Sequence, residues 1–297
     1  MSRIFEALQR SESERVDFTF PEPPGLVAEL LRSREEEKVE TPAAAPLPAA
    51  PAPPPRTELG TFPTIKIALT PASRMVSITD KEGLAAEKFR FLSVRLRQLQ
   101  QSRKLKKLLI TSTLPEEGKS LVSGNLAATL ARRKQQKILL IEGDLRRPVQ
   151  MTQFGLAPVP GLTEWLRDGA KPMSNIYFLE GAGFWLLPAG NTPENPLELM
   201  QAGKLPGLMD QLASFFDWIV IDSPPLLPLA DTSVWSRQAD GILIVVREGR
   251  TERQQLERGL AQMDKSRLLG AVVNSCNDTH HQDYYSRYSY TGSGEAQ

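Results

Sequence analysis

No stretch of this chain constrains its fold more than residues 111–120, which lead from one apolar run into another of different period. Lys107, Leu108, Leu109, Ile110 and Thr111 have the length and composition of a short buried strand. After Ser120, Leu121, Leu126 and Leu130 recur at helical spacing, with Ala127, Ala128 and Ala131 between them. The connecting loop ends in Gly118, Lys119 and Ser120, the close of a phosphate-binding P-loop, with Thr113 where the first glycine usually stands. In such a loop, backbone N–H groups and the positive end of the following helix hold phosphate. Gly118 lets the backbone approach, Lys119 reaches the β- and γ-phosphates, and Ser120 offers its hydroxyl to magnesium. Thr113, Pro115, Glu116, Glu117 and Leu121 complete the expected nucleotide-contacting segment. The competing reading makes Lys119 a surface cation at a helix start, and the flanking strand and helix favour phosphate.

Composition narrows the remaining classes. The 297 residues, 40% of them hydrophobic, suffice for one large or two ordinary domains with a buried core. A net charge of +1 provides no basic stripe for nucleic acid. Cys276 is the single cysteine, which excludes an internal disulfide and suits a reducing cytoplasm. Cys276 with His280 and His281 lacks a fourth metal ligand, so this stretch reads as a solvated loop. No run reaches the ~18 to 20 apolar residues of a membrane span, and the amino terminus lacks the apolar segment of a signal peptide. The expectation is a cytoplasmic protein that works at a membrane only through a partner or a peripheral contact.

Four regions separate along the chain. Residues 1–40 are charged, with short apolar patches at Ile4, Phe5 and Leu8 and at Leu26, Val27, Leu30 and Leu31. They read as a docking peptide that orders on a partner, or as a frayed terminal helix. Residues 41–63 are rich in alanine and proline, including Pro53, Pro54 and Pro55, and suit an extended spacer. Residues 64–279 are expected to form the P-loop domain, and residues 280–297 a polar tail. Within the domain, a helix is expected over 82–99. Strands are expected over 107–111, 137–141, 184–187, 218–221, 241–246 and 269–273, and helices over 196–216 and 251–263. Near-continuous apolar strands alternating with helices argue for an α/β fold, a doubly wound and mostly parallel sheet with the nucleotide at its carboxyl edge.

Two acidic strand ends fall on that edge. Ile141 runs into Glu142, Gly143 and Asp144, followed by Leu145, Arg146, Arg147 and Pro148; Ile221 ends at Asp222, followed by Ser223, Pro224 and Pro225. Carboxylates so placed can reach a magnesium ion on the β- and γ-phosphates, with Asp222 the natural metal-side acid. Glu142 or Asp144 could accept the proton of an attacking hydroxyl. Each acid alone would read as a turn cap, but two such ends beside a P-loop favour catalysis. Arg146 and Arg147 are candidates to stabilise the transferring phosphoryl, or form a solvated basic turn.

These motifs resemble the bacterial tyrosine kinases, P-loop autokinases of the deviant Walker type associated with capsular and extracellular polysaccharide. The resemblance runs from about Glu82 to Tyr290. It rests on residues 111–120 as Walker A, 141–148 as the additional A′ segment and 221–225 as Walker B, with 187–190 and 195–199 also following the pattern. It implies Mg-ATP bound by Lys119, Ser120 and Asp222, and A′ acids Glu142 and Asp144 that bind magnesium and activate the substrate tyrosine. Four of the five tyrosines, Tyr284, Tyr285, Tyr288 and Tyr290, lie in the tail, where the family carries its trans-autophosphorylation cluster. The split members further imply a separate membrane-bound polysaccharide co-polymerase as adaptor, homo-oligomerisation into a ring, and reversal by a protein-tyrosine phosphatase. Departures are Glu142 for aspartate, Glu116 for glycine, and Ser93 where Glu87 and Arg90 are normally followed by a second arginine. Min/Par-type positioning ATPases carry a lysine where this chain has Leu114, and a catalytically impaired nucleotide-binding scaffold is the other alternative. By the same resemblance to related NTPases, Asn274 at a strand end is expected to contact adenine.

Overall fold

The computed structural model describes residues 2–4, 62–168, 172–227 and 230–275. The second amino-terminal patch, most of the spacer, Cys276, the two histidines and the four tail tyrosines lie outside them.

Nine strands form one sheet: β1 (Ser2–Ile4), β2 (Thr64–Lys66), β3 (Lys107–Ser112), β4 (Ile138–Glu142), β5 (Tyr177–Glu180), β6 (Phe184–Leu187), β7 (Trp218–Asp222), β8 (Gly241–Arg247) and β9 (Leu268–Asn274). Their spatial order is β1-β9-β8-β3-β7-β4-β6-β5-β2. From β9 to β6 every neighbouring pair is parallel; β1 on β9 and β5 on β6 are antiparallel. Strand β7 lies between β3 and β4. Its register sets Asp222 level with Ile110 on one side and Glu142 on the other, so the P-loop and both acidic strand ends leave the sheet side by side.

The period of two in each strand builds two cores. Leu108, Ile110, Leu140 and Val220 face the helices Leu84–Ser102 and Lys119–Ala131, meeting Phe89, Leu92, Leu96 and Leu126. Leu109, Leu139, Ile141, Ile219 and Ile221 face the other way, onto Leu205, Leu208 and Leu212 of helix Lys204–Phe215 and Trp235 of helix Asp231–Gln238. Both faces of the central strands are covered, which is why they read as unbroken apolar runs. Among the described residues no helix is long and apolar enough to cross a membrane.

Several boundaries differ from the sequence expectation. The helical pattern over 196–216 is two helices, Pro196–Gln201 and Lys204–Phe215, because Gly203 adopts a left-handed conformation (φ 86°) between them. The pattern over 251–263 forms a helix only over Arg253–Leu260, entered through a capping box of Glu252 and Gln255. Strands β2 and β5 are too short to announce themselves. The fold also takes in the end of the spacer: Phe62 packs against Trp185 and Phe216, and Pro63 accepts a hydrogen bond from the N–H of Phe178. Ile4, from the first amino-terminal patch, lies in β1, which pairs with the edge of β9; Phe5 and Leu8 of that patch lie outside the described residues.

Candidate active site

The loop from Thr113 to Gly118 is braced from within and from behind. The Glu117 side chain turns inward, accepting from the N–H of Leu114 at 2.8 Å and from the hydroxyl of Thr251. Burial raises its pKa, partly opposed by those bonds. Asn274 donates its amide to the Glu117 carbonyl at 2.9 Å, and its oxygen accepts from the N–H of Ser275. Gly118 is left-handed (φ 96°), and a Cβ there would lie 2.1 Å from Asn274 Nδ2, so a side chain would be strained and would displace Asn274. Gly118 caps the helix without a side-chain bond, leaving the first-turn N–H groups to a ligand. At the outer lip Glu116 also has positive φ (63°) and pairs with Arg250 at 3.0 Å.

Lys119 and Ser120 open the helix beneath the loop, and both are buried. Lys119 Nζ donates to Asp144 Oδ2 at 2.9 Å and to Ser120 Oγ at 3.3 Å. Burial alone would lower the pKa of Lys119, but Asp222, Asp144 and Glu142 together raise it, so the ammonium stays charged. Asp222 is fully buried, and burial drives its pKa up against the pull of Lys119. Three buried carboxyl groups thus act on one buried ammonium, with Asp144 in direct contact. Arg146 does not relieve the imbalance: its guanidinium is held by the buried Asp231 through bonds of 2.6 and 3.1 Å. Among the described residues no group of three or more His, Cys, Asp or Glu is arranged to hold a metal unaided.

The predicted site residues therefore divide. Lys119, Ser120, Asp144 and Asp222 converge. Glu142 sits among them in sequence, but both its oxygens are taken by backbone N–H groups: Val149 (2.5 Å) and Gln150 (2.6 Å) on Oε1, and Ala189 (3.0 Å) on Oε2. Burial raises its pKa to about 7, with those bonds acting against the shift. Glu142 was expected as a catalytic base or metal ligand; in this structure its longer side chain carries the carboxylate onto N–H groups of the neighbouring loops. Arg146 is likewise a structural cation, and Arg147 contributes its N–H to Asp144 Oδ1 at 3.1 Å. Glu117 and Asn274 meet the site as braces of the loop through their side chains.

Sequence reasoning missed Gln150, which is fully buried and donates from Nε2 to Asp222 Oδ2 (2.8 Å) and to the Ser120 carbonyl (3.0 Å). It also missed Trp235, whose indole N–H reaches the Gly143 carbonyl at 3.0 Å and fills the space a Cβ on Gly143 would need. Nothing in the spacing marks either residue. The one available signal for Gln150 was its place two residues beyond Pro148, at the exit of the A′ turn.

No protein-family model matches the chain. It is 31% identical over 212 residues to the tyrosine-protein kinase YwqD of Bacillus subtilis, covering 71% of this chain and 89% of that protein. It is 32% identical over 175 residues to the tyrosine-protein kinase CpsD of Streptococcus agalactiae, covering 58% and 75%. The kinase domain of the Escherichia coli tyrosine kinase ETK superposes with a TM-score of 0.64 at 26% identity, covering 76% of this chain and 88% of that one. With a P-loop on a mostly parallel sheet, acidic ends on β4 and β7, and relatives of this likeness over most of their length, the chain belongs to the bacterial protein-tyrosine kinases.

Proposed function

We propose that this kinase transfers the γ-phosphoryl group of ATP to the tyrosines of its own tail, Tyr284, Tyr285, Tyr288 and Tyr290, in a neighbouring copy. The observation that carries this reading is the convergence of Lys119, Ser120, Asp144 and Asp222 at one sheet edge, with Lys119 Nζ 2.9 Å from Asp144. The residues fit Mg-ATP: hard oxygen donors on Ser120, Asp222 and Asp144, an excess of buried negative charge, and the unpartnered buried hydroxyl of Thr113 in the loop. Ser120 and Asp222, with Asp144, would hold magnesium, which when bound neutralises charge on the phosphates. Residues 113 and 115–121 would hold the phosphates through backbone groups and Lys119.

Within that site Lys119 shifts from Asp144 to the phosphates and releases the carboxylate. Asp144 then accepts the tyrosine hydroxyl proton as its oxygen bonds to the γ-phosphorus and the bond to the β-phosphate oxygen breaks, freeing ADP. Phosphate on the tail adds negative charge beside the acidic site and expels it. The domain division, with a spacer ahead of the fold and a tail beyond it, suits delivery of one copy's tail to another. By likeness to its family, the kinase would regulate polysaccharide production from the inner face of the plasma membrane through a separate membrane adaptor. Its activity would be reversed by a phosphatase.

The test is mass spectrometry of the tail after exposure to Mg-ATP. Phosphate is expected on the tail tyrosines, none is expected in Lys119→Met, and Lys119→Met is labelled when mixed with active protein whose four tail tyrosines are phenylalanine. Phosphate release without phosphotyrosine would replace this reading with an ATPase switch. An unlabelled Lys119→Met in that mixture, while the unaltered protein labels its tail, would remove the trans step.

A further inference from the structure

We propose that Gln150 is the positioning residue of the Asp222 carboxylate, and that Glu142 acts on the site through Gln150 rather than by touching substrate or metal. The inference rests on the magnesium-nucleotide site proposed above. One nitrogen, Gln150 Nε2, bonds both the Ser120 carbonyl in the first turn of the P-loop helix and Asp222 Oδ2 at the end of β7. It ties together the two elements that carry the metal-side groups. The donor is neutral, so it fixes the orientation of Asp222 without cancelling its charge, and Ser123 Oγ approaches the other oxygen at 3.4 Å. Partners of this kind orient carboxylate ligands, and their loss typically lowers metal affinity or activity about 10- to 100-fold.

Gln150 is held in turn by its own backbone. Its N–H and that of Val149 both donate to Glu142 Oε1, while Glu142 Oε2 takes the N–H of Ala189 beyond β6. Glu142 therefore gathers three segments: its own strand end, the start of the helical turn Gln150–Gln153, and the loop after β6. An aspartate, one methylene shorter, has less reach for both loops at once. In this chain the acid at the head of the A′ segment holds the geometry, and Asp144 is the acid of the pair that faces Lys119.

The readout is binding of fluorescent ADP to the full chain with and without magnesium, expressed as the ratio of the two affinities. Gln150→Met, of similar volume but without the donor, is expected to lower the magnesium enhancement about 10- to 100-fold while the magnesium-free affinity stays unchanged. Glu142→Gln, which keeps length but loses one acceptor, is expected to lower the same ratio to a smaller extent. An unchanged ratio in Gln150→Met, or affinities that fall together with and without magnesium, overturns the positioning role. If Gln150→Met does not fold, Glu142→Gln decides on the same ratio, and an unchanged ratio there overturns the proposal. If the unaltered protein shows no magnesium enhancement, the metal-site reading itself fails and this inference with it.

Discussion

Gly118→Ala, Asn274→Ala and their combination test whether the P-loop is shaped by its own chain before any nucleotide arrives. Gly118 has φ 96°, and a Cβ would sit 2.1 Å from Asn274 Nδ2, the atom that donates to the Glu117 carbonyl. Two penalties follow. A side chain in the left-handed region costs about 1 kcal/mol, and displacing Asn274 forfeits a hydrogen bond worth about 1 kcal/mol net. Gly118→Ala should therefore destabilise the nucleotide-free protein by about 2 kcal/mol. Gly203 supplies the reference: it is also left-handed (φ 86°), but a Cβ there would meet no atom within 4 Å, so Gly203→Ala should cost only the strain, about 1 kcal/mol. Asn274→Ala removes the bond in advance, so Gly118→Ala in that background should fall to the strain alone, a coupling of about 1 kcal/mol. Urea unfolding of the four proteins and the Gly203 control measures each quantity. Strict additivity, with Gly118→Ala costing no more than Gly203→Ala, would refute the assignment of Asn274 as a brace of the loop.

Three further expectations follow from the braces around the site. Arg146→Met strands the buried Asp231, but the arginine side chain is 38% exposed, so the loss should be about 2 kcal/mol, between the ranges for exposed and buried pairs; a double-mutant cycle with Asp231→Asn that shows no coupling would sink the pairing. Gly143→Ala drives a Cβ to 2.7 Å from Trp235 Cε2, and should cost about 2 kcal/mol with a change in indole emission; an unaltered emission spectrum would show that the packing is looser than described. Glu117 has a raised pKa in the fold, so as pH rises past its ordinary value of 4.5 the unfolded chain sheds its proton first. Stability should decline over that window and level off above the folded value. Glu117→Gln should make the decline in urea unfolding from pH 4.5 upward shallower, with Glu142 and Asp222, also raised by burial, supplying the rest; an identical slope in both proteins would contradict the burial argument.

The sheet was legible in the sequence because its central strands are covered on both faces and carry apolar residues at nearly every position, as in Ile138 to Ile141 and Trp218 to Ile221. Its periphery was not. Strand β2 has three residues and β5 has four, too few for a period to register, and the two pair with each other across more than 100 residues of sequence. The helix over 196–216 misled for a related reason. Its apolar spacing continues across Gly203, and only the backbone conformation there reveals the break. Lys119, Ser120, Asp144 and Asp222 meet at one edge because strand order and motif spacing put their Cα atoms there; Ser120, Asp144 and Asp222 have short side chains, and Lys119 is drawn in by Asp144.

Glu142 shows where that logic stops. Its Cα is level with Asp222 in the β4–β7 register, the place a metal-side acid would occupy. A carboxylate one methylene further from the backbone can pass its strand neighbours, and in this chain three N–H groups wait for it beyond Pro148 and Pro188. Those donors come from residues 149, 150 and 189, two of them seven and eight positions along and the third past β6, so no local pattern predicts them. The N–H groups of Gln150 and Ala189 are buried, and each left without an acceptor would cost about 1–3 kcal/mol, so Glu142 stabilises the fold as their acceptor. The extra methylene of glutamate thus sets the carboxylate on the loops that flank the site. Two residues on, Asp144 is the acid at this end of β4 that Lys119 contacts, at 2.9 Å.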